Sequence, residues 1–126
     1  MTYVNISNLD SDLNMWEKGL DFYRDELDLL GKRLTEISFK NNSQEAMAGV
    51  EHFQNQFMIQ RKNIQDIKHG VKNYKASIGS DIHHHAGHVN ADLVEEGKTL
   101  KDRYENFEKI MNGLRHEFKD YLSKWM

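Results

Sequence analysis

Residues 42–79, NSQEAMAGVEHFQNQFMIQRKNIQDIKHGVKNYKASIG, carry the pattern that decides the fold. Val50, Phe53, Phe57, Gln60, Ile64, Ile67, Val71, Tyr74 and Ile78 recur there at alternating steps of three and four. A helix turns about 100° per residue, so this spacing brings all of them onto one face as a heptad seam. The segments on either side carry seams of the same kind. Upstream run Leu9, Leu13, Trp16, Leu20, Tyr23, Leu27, Leu30, Leu34 and Ile37. Downstream run Leu93, Gly97, Leu100, Tyr104, Phe107, Met111, Leu114, Phe118, Tyr121 and Trp125.

Three long amphipathic segments joined by short breaks predict an all-α, up-down-up antiparallel three-helix bundle in one domain, with no β-sheet. The helices are expected at about residues 8–38, 43–79 and 90–125. Asn41, Asn42 and Ser43 favour a turn, and Asn42 with Glu45 reads as a capping box for the second helix. Gly79, Ser80 and Asp81 read as the start of a second irregular region ending near Asn90. The up-down-up course sets Phe118, Tyr121 and Trp125 beside Leu34, Ile37 and Val50, where packing should be densest. Gly97 lacks a side chain, so another helix can approach closely there or a neighbour can fill the space. Gln60 is the polar residue of the middle seam. Mirror pairing through the first turn sets it near Tyr23, whose hydroxyl is expected to bond its amide, because an unpaired buried amide costs ~1–3 kcal/mol.

Composition agrees with one helical domain. The chain has 126 residues, 38% hydrophobic and 29% charged, and contains no proline to interrupt a long helix. It has no cysteine either, which removes disulfides and thiolate metal sites and suits a reducing, cytoplasmic setting. The first ten residues hold no signal-like stretch, and no window approaches the ~18 apolar residues of a membrane span. Net charge is −3, unlike the basic balance of most small nucleic-acid-binding domains. Residues 8–39 hold eight acids against four bases, and residues 44–80 three acids against five bases, so the first two helices should pair through opposite charge.

Chemistry-bearing patterns are few. The sequence has no Gly-x-Ser-x-Gly elbow and no phosphate-binding glycine loop, and nothing in it points to an enzyme. The local exception is the run around His83 to His88. Read as an exposed turn it has no special role. Read as helix, Asp81, His84 or His85, His88 and Asp92 fall three or four apart on one face, a spacing that can hold zinc, nickel or copper. His52 and His116 belong to one half of the rod, but no glutamate stands three residues before a histidine, as carboxylate-bridged diiron bundles require.

A last pattern lies outside the seams. Met15, Phe22 and Leu29 recur every seven residues on the first helix, with Gly19 between the first two, and Met58 and Ile59 are surplus on the second. Such residues either broaden a core face or cover an interface with another chain, a homodimer being the simplest case. The sequence therefore reads as a non-enzymatic structural or protein-interaction module, either a homo-oligomer, a dimer being preferred, or an adaptor that offers helix faces to a protein partner. A metal-binding bundle using His83 to His88 is the alternative, and a small-molecule site in the region of Gly97 and the His83 to His88 loop is a third.

Overall fold

The chain turns first at Asn41, Asn42 and Ser43, and the side chains of that turn explain why it is there. Ser43 Oγ accepts the amide of Ala46 at 3.1 Å, the bond of an N-cap serine. The cap of the second helix is thus Ser43 rather than Asn42. Asn41 closes the preceding helix, because its Nδ2 donates to Ile37 O and also to Trp125 O, at 3.1 and 2.9 Å. That side chain clasps the end of the first helix to the end of the third.

The computed structural model describes residues 4–85, 88–89 and 91–126, with side chains described for 10–80 and 92–126. Helix α1 runs Ile6–Lys40, α2 runs Gln44–His85 and α3 runs Ala91–Trp125. Partners along α1 and α2 ascend on one helix as they descend on the other, whereas those along α1 and α3 ascend together, giving the up-down-up bundle expected. Two differences stand out. Helix α2 passes through Gly79 and extends six residues beyond the expected stop, to His85. A helical glycine costs only ~1 kcal/mol relative to alanine, and the sequence has no proline to end the helix there, so Gly79 alone does not stop it. The structure also contains a two-residue antiparallel ladder, β1 (Val4–Asn5) with β2 (His88–Val89), which pairs Val4 with Val89 and Asn5 with His88. It straps the start of the chain to the α2–α3 connection without altering the helical architecture.

The core is the three seams. All nine positions of the α2 seam are buried, as are Leu13, Leu20, Leu27 and Ile37 of α1 and Leu100, Phe107, Met111 and Phe118 of α3. Phe118 meets Phe53 and Phe57 edge to face at the end expected to be densest, at 5.0 and 5.3 Å. Trp125 is only partly buried there.

Three glycines receive tyrosines from neighbouring helices. Tyr104 of α3 occupies the space over Gly19, Tyr121 of α3 that over Gly49, and Tyr74 of α2 that over Gly97. In each case a Cβ on the glycine would collide with the ring or its hydroxyl. Tyr121 and Tyr74 reach across to donate to the Ala46 and Leu93 carbonyls, at 2.5 and 2.6 Å. Gly97 is thus a socket filled by Tyr74, and beside it an open cavity of about 200 Å³ lies between α2 and α3, lined by Tyr74, Ser77, Glu96 and Leu100 among others.

Candidate functional site

Which side of α1 is free follows from what the other sides touch. Asn14, Glu17, Asp21 and Asp28 face α2, where Lys75 bonds both Asn14 and Glu17, Lys68 bonds Asp21 and Arg61 bonds Asp28. Lys68 also holds the Asp21 carboxyl below its ordinary range. This is the charge complementarity expected between the first two helices, laid out as a ladder of seven-residue steps on α2. Arg61 meets Asp28, so Gln60 lies about six residues along the α1 axis from Tyr23, ~9 Å away. The predicted Gln60–Tyr23 bond is therefore not made. Gln60 is buried, 3% exposed, and its Oε1 accepts from Asn63 Nδ2 at 3.0 Å.

Trp16, Gly19, Tyr23 and Glu26 face α3. Tyr104 stacks on Trp16 at 6.2 Å over Gly19, and Tyr23 donates to Glu108 at 3.0 Å. Arg115 grips Glu26 with two bonds, Nε to Oε2 at 2.6 Å and Nη2 to Oε1 at 2.7 Å. Burial, and after it the Glu108 carboxylate, pushes the phenols of Tyr23 and Tyr104 up to about 12. Sequence reasoning missed this polar seam. Its signal was a tyrosine inside the α1 seam with acids one step outside the α3 seam.

Met15, Phe22 and Leu29 lie beyond the α3-facing set, turned from both neighbours. They are 62, 60 and 58% exposed, so the bundle itself does not consume them. The Phe22 ring rests edge-on against Tyr23 at 5.3 Å, which holds it in place at the surface. Beside the stripe an open groove of about 560 Å³ runs between α1 and α3, from Met15, Trp16 and Gly19 to Lys101, Tyr104 and Glu108. Gly19 of the predicted interface is committed within the chain, since Tyr104 covers it. Met58 and Ile59 are 62 and 49% exposed on the outer face of α2. The α1 stripe borders α3, so these residues form a second patch rather than an extension of the first.

The candidate metal ligands are divided among three elements. Asp81, His84 and His85 end α2, His88 is in β2, and Asp92 opens α3. The side chains of residues 81–91 lie outside the described residues, and Asp92 is exposed. Because α2 stops at His85, the five positions do not share the single helical face that their spacing allowed. Among the described residues no group of three or more His, Asp or Glu is arranged to hold a metal ion. His52 bonds Glu117 of α3 at 2.5 Å, adjacent in sequence to His116. Among the described residues no helix is long and apolar enough to cross a membrane.

Comparison with protein-family models, with curated proteins and with solved structures gives no match to this chain.

Proposed function

We propose that this chain is a non-enzymatic helical-bundle interaction module that associates with a second copy of itself through Met15, Phe22 and Leu29. The exposure of that stripe carries the reading. Three large apolar side chains at heptad spacing stay in water although each helix of the bundle already has a complete seam. The absence of cysteine fits work in a reducing compartment such as the cytoplasm. Sedimentation velocity and light scattering test the proposal. Wild-type mass is expected to rise towards a dimer with concentration, and Phe22→Glu is expected to lower it while helical circular dichroism is kept. A wild-type monomer at high micromolar concentration, or a Phe22→Glu chain that unfolds, would place the stripe in the fold instead.

A metal-binding reading keeps one observation in its favour. The helical backbone through Asp81–His85 puts Asp81 three and four residues before His84 and His85, a spacing that suits two ligands from one helix. Titration of metal-free protein with zinc or nickel checks it, and binding unchanged by His84→Ala with His88→Ala removes it.

A further inference from the structure

Charges beside the apolar stripe carry information on how two copies would meet. Phe22 is the midpoint of the stripe. Lys18 and Asp25 lie along the edge away from α3, and Asp12 and Arg33 along the edge towards it. All four are exposed. Asp12 and Lys18 make no ion pair among the described residues. Asp25 and Arg33 hold only exposed contacts within α1, to Arg24 and Glu36, each at 3.4 Å. These charges are available to a partner.

We infer that α1 packs antiparallel on α1 of a second copy, with the two-fold axis passing Phe22. This rests on the self-association reading above and adds its geometry. In an antiparallel pair related by such an axis, like edges of the two helices face each other. Met15 then meets Leu29 of the other copy, and Phe22 meets its own equivalent. Lys18 comes level with Asp25 on one edge, Asp12 comes level with Arg33 on the other, and symmetry makes each pair twice. A parallel pair would bring unlike edges together at the same height. Exposed Lys32 would then face exposed Arg33, and that contact would repel. The charge order along α1 therefore suits one orientation and opposes the other. The contact spans Asp12 to Arg33, ~30 Å of helix, and lays the second α1 beside the mouth of the α1/α3 groove.

The cysteine-free chain allows a direct test, because any introduced thiol reports only its own position. Mild oxidation of a mixture of Met15→Cys and Leu29→Cys chains is expected to give covalent dimers, whereas neither variant alone does so. A second measurement avoids the apolar residues. Lys18→Glu and Asp25→Lys should each weaken the dimer about five- to tenfold at low salt, and the two changes in one chain should restore it. Self-crosslinking of Met15→Cys and of Leu29→Cys alone, or a double charge reversal that restores nothing, overturns the antiparallel geometry. If wild type still sediments as a dimer that Phe22→Glu dissociates, the self-association reading survives that outcome. A chain that stays monomeric, or that binds only a helix from another protein, overturns both.

Discussion

Helix α1 is held by α2 and by α3 in different ways. Towards α2, the buried seam is flanked by ion pairs whose members remain roughly one-third to one-half exposed, such as Lys68 with Asp21. Towards α3, the flank is a set of enclosed polar groups, where Glu26 is only 15% exposed beneath Arg115 and Tyr23 bonds Glu108. The first seam is closed along its length by long flexible side chains. The second is drawn close at Gly19, leaves a groove beside it, and ends at the apolar stripe. A pair in water contributes little to stability, while a desolvated one is costly to break, so the two seams should respond very differently to the same kind of change.

The largest contrast is expected on removing one member of each pair. Arg115→Ala leaves the Glu26 carboxylate enclosed without its two bonds, and should cost about 2–3 kcal/mol in urea denaturation. Replacing Glu26 and Arg115 together by leucine should cost less than Arg115→Ala alone, which would trace the penalty to the stranded charge. Alkaline pH should strike the same seam next. Tyr23 and Tyr104 have folded values pushed up to about 12, above the ordinary 10.0, so their contribution is whole below pH 10 and is lost as pH rises through 12. The urea midpoint is expected to fall in that window, and less so in Tyr23→Phe.

Glycine replacements give a smaller effect that changes sign with place. Gly19→Ala should lose about 1–2 kcal/mol despite its better helix propensity, since the Tyr104 ring over it is buried and stacked on Trp16. Gly113 has nothing within 4 Å of an added Cβ, so Gly113→Ala should gain up to about 1 kcal/mol. Equal gains at both positions would show that Tyr104 moves aside freely. The smallest effect belongs to the exposed ladder. Lys68→Ala should cost under about 1 kcal/mol and less still in high salt. Lys68 depresses the Asp21 carboxyl, so this contribution is present above its ordinary value of 3.8 and fades as pH falls below it.

Reading the sequence in order recovers the seams and the first turn because those depend on neighbours three and four residues away. It fails at the end of α2, where a glycine is read as a stop although it costs a helix only ~1 kcal/mol and no proline follows to break it. It fails again at Gln60, because mirroring two helices about their connection ignores the axial offset that packing imposes. The glycines at 19, 49 and 97 look alike in sequence as gaps or breaks, and their use as tyrosine sockets depends on a ring arriving from another helix. The stripe at Met15, Phe22 and Leu29 was visible as surplus hydrophobicity, but periodicity alone does not say whether a third helix covers it.

By itself the sequence determined three helices, their inward faces and the opposite charges of α1 and α2, since each follows from local spacing and residue type. The tertiary structure decided which residues stand level across helices. That assigned Tyr23 to Glu108 instead of Gln60, Glu26 to Arg115, and Gly19 to Tyr104. It also left the α1 stripe in solvent and set Met58 and Ile59 on another face. The reason is physical: periodicity fixes the direction of a side chain around its own axis, while axial offset and rotation between rods are set only when their side chains interlock.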